Sequence, residues 1–175
     1  TLANEWCLRG LKITLISLSE PETDFFTLAP GISRLSVGGT GSSRSIVHSV
    51  LANIQRLTRL RRLVRETGAP TVISFVGTMN ILVIIATRGL GLNVIISERN
   101  DPTRQHLPPF WQILRRLTYG LADTVTANSQ VALIYLEKYV SRHKLAFVPN
   151  PVTHAPTDTD ELPRQPIILM VARFN

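Results

Sequence analysis

The sequence predicts an α/β fold, a Rossmann-like parallel sheet with helices on both faces. Three observations carry that expectation. Short β-branched runs alternate along the chain with longer stretches of helical periodicity. Residues 71–76 (TVISFV), the apolar stretch 81–87 and residues 94–97 give strand, helix and strand within about thirty residues, the size of a βαβ unit with parallel strands and a right-handed crossover. Finally, residues 93–101 (NVIISERND) pass abruptly from apolar to charged and hydrogen-bonding side chains, with Pro102 closing the turn. Such a switch marks the carboxyl end of a buried strand, just outside which open α/β sheets bind their ligands.

Composition narrows the class. The chain has 175 residues, 44% hydrophobic and 18% charged, which suits one folded domain, or one domain and the start of another. Its longest apolar runs, such as 81–86, are too short to cross a bilayer, and the polar opening around Asn4, Glu5, Arg9 and Lys12 carries no complete signal peptide. Cys7 is the single cysteine, so no internal disulfide forms and a reducing, cytoplasmic setting is expected. His48, His106, His143 and His154 are scattered without ligand spacing, so neither a metal nor another cofactor is expected. The net charge of +7 comes from 19 basic and 12 acidic residues, with arginine far ahead of lysine. It points to an anionic partner, either a phosphorylated ligand or an acidic membrane surface, or else to a solvated basic face. Without a recognisable motif or aromatic stacking platform, no nucleic-acid partner is expected.

Taken in order, residues 2–10 read as a helix ending at Gly10, and 11–18 (LKITLISL) as a strand. A helix and strand with no strand before them predict a chain that starts inside a βαβ unit. Residues 20–31 form a loop and 32–37 a short strand. Gly38, Gly39, Gly41, Ser42 and Ser43 resemble a phosphate loop only superficially, lacking both the Gly-Lys-Ser/Thr ending and the GxGxxG spacing. The clearest helix covers 46–64, with Ser45 as cap and an apolar stripe from Ile46 to Val64. Its other faces carry Arg56, Arg59, Arg61, Arg62 and Arg65: an ordinary solvated face, or one that meets anionic headgroups. After the strand at 71–76, Gly77, Thr78 and Asn80 form a polar mouth. A helix stripe of Phe110, Trp111, Leu114, Leu117 and Leu121 follows Pro108 and Pro109, with Arg115 and Arg116 beside it. Strand 122–127, helix 130–139 and strand 144–148 complete a domain expected to cover residues 1–152. Residues 153–166 read as a linker, and 167–175 as the first strand of a further domain.

The candidate site lies where these strands end. Glu98 and Arg99 would either pair locally or divide the labour, the carboxylate accepting sugar hydroxyls and the guanidinium fork binding phosphate. Asn100 and Asp101 extend that mouth, and Arg173 stands at another strand end.

Four segments, ISERNDP at 96–102, YGLADTVTANS at 119–129, FVPNPV at 147–152 and ILMVARFN at 168–175, occur in an order that resembles family 4 glycosyltransferases of the GT-B fold. The nearest likeness is to bacterial enzymes that build lipid-linked oligosaccharides or surface polysaccharides. The resemblance implies the acceptor-side half of a two-domain enzyme, which moves a sugar from a nucleotide-sugar donor to a lipid-linked or polysaccharide acceptor with retention and without metal. It implies Glu98 and Arg99 as catalytic residues lining the cleft, where many members carry a histidine. Gly77, Thr78, Asn80, Asn100 and Asp101 would bind acceptor. Asn150, at the interdomain crossing, and Arg173 would face the donor. Arg56, Arg59, Arg61 and Arg62 would hold the enzyme on the anionic inner membrane as a cytoplasmic, peripheral protein. Two other readings remain open on the residues: a GT-B-like sugar-nucleotide epimerase, and a non-catalytic basic module that binds anionic lipid or a partner protein.

Overall fold

In the computed structural model, residues 2–150 are described except 21, 23, 39–45, 103 and 106, with backbone alone for 46–52. The expected Ser45 cap, most of the glycine-serine stretch, the linker, the strand beyond it and Arg173 lie outside those residues.

The described chain alternates helix and strand. Helix α1 (Leu2–Leu8) leads into β1 (Thr14–Ser17), followed by β2 (Ser33–Ser36) and the long α2 (Ile46–Thr67). Then come β3 (Thr71–Phe75), α3 (Gly77–Thr87), β4 (Asn93–Glu98), α4 (Pro109–Thr118), β5 (Thr124–Ala127), α5 (Gln130–Leu136) and β6 (Leu145–Phe147). Gly10 and Gly68 follow α1 and α2 with φ of +83° and +63°, the left-handed conformation in which glycine ends helices without a Cβ penalty.

Among the described residues every strand pairing is parallel, and helices flank the sheets. The strands make two sheets rather than one: a β1-β2 pair and a four-stranded sheet in the order β3-β4-β5-β6. The run at 71–76 is an edge strand of the larger sheet, with Ser74 turned inward while Thr71, Ile73 and Phe75 remain exposed. An edge strand covered on one face alternates, and the β-branched run hid that alternation. Register aligns Phe75 with Ser97, Glu98 with Ala127 and Ala127 with Phe147, so the carboxyl ends of all four strands form one rim.

The core gathers Ile81, Leu82, Val83 and Ile84 of α3 against Val94 and Ile96 of β4, Val125 of β5, and Leu60 and Val64 of α2. Several cations are held inside the fold. Arg34 grips Asp24 through two bonds of 2.7 and 2.8 Å and also reaches Ser17 Oγ, which ties β2 to β1 and its following loop. That hydrogen-bonded pairing holds the Asp24 carboxyl below the usual carboxylate range. Lys144 Nζ donates to the carbonyls of Gly120 and Ala122. Arg61 Nη1 donates to the carbonyls of Ala86 and Arg88, both at 2.7 Å, and so closes the C-terminal end of α3.

Arg61 therefore differs from the neighbouring arginines with which the sequence grouped it. Arg62 is exposed and meets Glu66 only at 3.7 Å, Arg59 is exposed, and Arg56 donates to Asn53 Oδ1 at 3.3 Å. Arg61→Ala is expected to lower unfolding stability by about 1–3 kcal/mol through the loss of two hydrogen bonds from a charged donor, and Arg62→Ala by less than about 0.5 kcal/mol. Urea denaturation of the two variants checks this, and equal losses would remove the special role of Arg61.

Candidate functional site at the carboxyl rim of the sheet

The rim begins with a strained elbow. Between β3 and α3, Val76 adopts φ 75° and ψ 132°, and among the described residues it is the one non-glycine with positive φ. A β-branched residue there costs roughly 1–3 kcal/mol and persists only where its surroundings enforce it. Here the elbow carries Gly77 directly beneath the rim. A Cβ on Gly77 would lie 2.8 Å from Arg115 Nη2 and 3.6 Å from Glu98 Oε2, so a larger residue here would have to displace the buried guanidinium.

Below the elbow lies a buried polar network. Glu98 ends β4 with 0% exposure. Its Oε2 accepts from the Tyr119 hydroxyl at 2.8 Å and stands 3.7 Å from Arg115 Nη2. Arg115, itself 3% exposed, also donates through Nη2 to Gln105 Oε1 and lies 5.8 Å from the centroid of the Tyr119 ring. Asn80, equally buried, donates to the Ser97 carbonyl at 3.1 Å and to the Tyr119 oxygen at 3.3 Å. Burial, reinforced by the Glu98 charge, drives the Tyr119 phenol well above its ordinary range, so it stays protonated and remains a donor. Burial likewise raises Tyr139, packed edge-on to Tyr119 with ring centroids 6.2 Å apart. Glu98 Oε1, Asn80 Oδ1, Arg115 Nε and Tyr139 Oη are buried without a hydrogen-bond partner among the described residues.

Above this network the rim is open. Arg99 is half-buried and lies 5.7 Å from the centroid of the Phe75 ring on β3. Its Nη1 donates to Asn150 Oδ1 at 2.9 Å and reaches the Val148 carbonyl at 3.4 Å, beyond β6. Asn128, after β5, donates to the Arg99 carbonyl at 3.1 Å. One arginine thus spans the ends of four strands. Among the described residues, no three His, Cys, Asp or Glu side chains gather as a metal site.

The structure therefore sorts the residues singled out in the sequence. Arg99, Asn100 and Asn150 lie at the rim, with Asn100 and Asn150 exposed. Asp101 and Thr78 are half-buried beside it, and Asp101 stands 3.7 Å from Arg104. Gly77, Asn80 and Glu98 lie beneath, with no surface of Asn80 or Glu98 open to a ligand. The direct grip on hydroxyls expected of Glu98 does not match this placement, because its carboxylate is enclosed by Tyr119 and Arg115. Sequence reasoning missed Arg115, Tyr119, Gln105 and Val76. The signal for the first two was a buried carboxylate in need of donors, visible only once Glu98 is known to be buried. Tyr119→Phe removes one of those donors without changing shape, and it should cost about 1–3 kcal/mol of stability. Equilibrium denaturation measures this, and a neutral substitution would mean that Glu98 is satisfied in another way.

Comparison with known proteins places this geometry in a family. Residues 1–151 match the glycosyl transferase 4-like domain. A Campylobacter jejuni protein named GalNAc-alpha-(1->4)-GalNAc-alpha-(1->3)-diNAcBac-PP-undecaprenol alpha-1,4-N-acetyl-D-galactosaminyltransferase is 26% identical over 175 residues, all of this chain and 48% of the relative. The chain thus spans about half the length of that curated relative. With parallel sheets flanked by helices and a family match over most of its length, the chain belongs to the glycosyl transferase 4-like domain family.

Proposed function

We propose that this chain forms the acceptor-side half of a retaining glycosyltransferase, which moves a sugar from a nucleotide-sugar donor to a lipid-linked or polysaccharide acceptor. The observation that carries the reading is the rim itself: Arg99 held across four parallel strand ends, above a carboxylate that is fully enclosed. Family membership and the relative's printed action on a diphosphate-undecaprenol-linked saccharide support the choice of substrates.

In this reading Arg99 and Asn100 touch the substrate, with Thr78 and Asp101 beside them. Glu98, Asn80 and Gly77 act from below as positioning residues. Retaining transfer builds positive charge on the sugar and negative charge on the departing diphosphate. Fixed cations near that diphosphate favour its departure, because they need no reorganisation during the reaction. Arg173 would supply such a cation from the donor side, and Asn150 would carry the crossing between the halves. Closure of the halves would exclude water and protect the donor from hydrolysis.

The assay uses the full-length protein with radiolabelled nucleotide sugars and a polyprenyl-diphosphate-linked saccharide. Transfer is expected with the donor's anomeric configuration preserved in the product by NMR. Arg99→Ala should lower kcat/KM by about 10²–10³, the loss typical of one electrostatic donor. An inverted product refutes retention, and unaltered kcat/KM removes Arg99 from the site. No transfer by folded protein with any donor–acceptor pair refutes the enzyme reading.

The proposed location is the cytoplasmic face of the inner membrane, with α2 turned to anionic headgroups. No described helix is long and apolar enough to cross a membrane. Arg59 and Arg62 are the exposed candidates for that contact, Arg56 is half-buried, and Arg61 is committed to α3. In sedimentation with anionic vesicles, Arg59→Ala and Arg62→Ala should each weaken binding by about 1 kcal/mol, roughly fivefold. Equal binding to neutral vesicles would refute an electrostatic contact.

A further inference from the structure

Between α4 and α5, bordered by the loop after β4, lies a cavity of about 330 Å³. Its wall carries Arg115, Arg116 and Lys138, together with Gln105, Gln112 and Tyr135, and no acidic side chain is among its lining residues. The acids nearby are engaged elsewhere. Glu98 lies behind Arg115, Glu137 pairs with Arg142 at 3.0 Å, and Asp101 stands near Arg104. Three cations thus converge on one concavity with a single enclosed carboxylate behind them. Arg115 is 3% exposed, and its Nε has no hydrogen-bond partner among the described residues. A guanidinium so enclosed, with a donor unpaired, is costly unless a ligand or solvent completes it.

We propose that this cavity is a phosphate-binding site that takes a diphosphate or a phosphate ester. Arginine forks and a lysine suit the several oxygens of a multiply charged phosphate. The glutamine amides and the Tyr135 hydroxyl add neutral donors. The volume lies at the lower end of the ~300–1,000 Å³ range of small-molecule pockets, which leaves room for more than a bare ion. The same guanidinium that lines the cavity holds Glu98 beneath the rim, so an occupant and the strand mouth share one side chain. Phosphate could arrive on a lipid or in solution. Phe110, Ile113 and Leu117 form an exposed apolar strip on α4, next to the cavity-lining Gln112 and Arg116, which gives the lipid source a physical basis.

The site stands without sugar transfer, so its test needs no turnover. The full-length protein is treated with a limiting amine-acylating reagent, and modification of Lys138 is followed by mass spectrometry. Pyrophosphate, farnesyl diphosphate below its micelle concentration, and chloride at matched ionic strength are compared. Pyrophosphate should slow acylation of Lys138 about tenfold, as expected when a charge-assisted pair sequesters the amine. Lys12, which is exposed and remote in sequence, should be unaffected. Arg116→Ala, with folding confirmed by its thermal melt, should abolish most of the protection. Farnesyl diphosphate acting at lower concentration than pyrophosphate assigns a lipid headgroup, whereas equal potency assigns a soluble phosphate. Acylation of Lys138 unchanged by both diphosphates, slowed equally by chloride, or protected undiminished in Arg116→Ala overturns the proposal.

Discussion

The enclosed carboxylate of Glu98 is the constraint around which the rest of the rim is built. A carboxylate taken out of water must recover its lost hydration from fixed donors, and breaking such a pair costs about 3–5 kcal/mol. Here the donors come from different elements: Tyr119 from the turn after α4, and Arg115 from α4 itself. Asn80 of α3 then joins Tyr119 to the backbone of β4 through Ser97. The positions of α3 and α4 are therefore set by hydrogen bonds to the end of one strand as well as by apolar packing. Gly77 completes the arrangement, since the guanidinium occupies the volume that any larger residue would need.

That requirement also decides which way α4 faces. By spacing, Phe110, Trp111, Leu114 and Leu117 make a convincing core stripe. In the fold, Arg115 and Thr118 are buried, while Phe110 and Leu117 are 62% and 67% exposed. Trp111 and Leu114 still pack against the core, so the inner face of α4 combines half of that stripe with the cation that faces Glu98. The larger design was legible: alternating elements, parallel strands, and the polar switch at 97–101 that marks the rim. What could not be read was depth. Ser97 and Glu98 are adjacent in a strand and both buried, because β4 lies inside the sheet with covered faces. Nor does any residue type announce the Val76 elbow; a sequence reader would assign a positive φ to the neighbouring Gly77.

The excess of arginine divides along the same line. Arg34, Arg61 and Arg115, with Lys144, satisfy carboxylates and carbonyls within the fold. Net charge alone therefore overstates what is available to a partner. Arg59 and Arg62 on α2, and Arg116 and Lys138 at the α4–α5 cavity, are exposed. Interior cations are retained for geometry, and only the outward ones can act by attraction at a distance.

The contrast between the two adjacent residues of the rim has a mechanical sense. Glu98 is held by a 2.8 Å hydrogen bond from Tyr119 and by the buried Arg115 guanidinium at 3.7 Å, whose loss would leave an unpaired charge, so it does not yield to a passing ligand. Arg99 is held by an exposed asparagine at 2.9 Å, a carbonyl at 3.4 Å and an aromatic face, interactions that an incoming anion can replace without stranding a buried group. Binding groups perform best when their supports are stiffer than their own contacts. The chain meets that condition in consecutive residues because β4 ends there: one side chain is still under the sheet's cover, and the next is already at its edge.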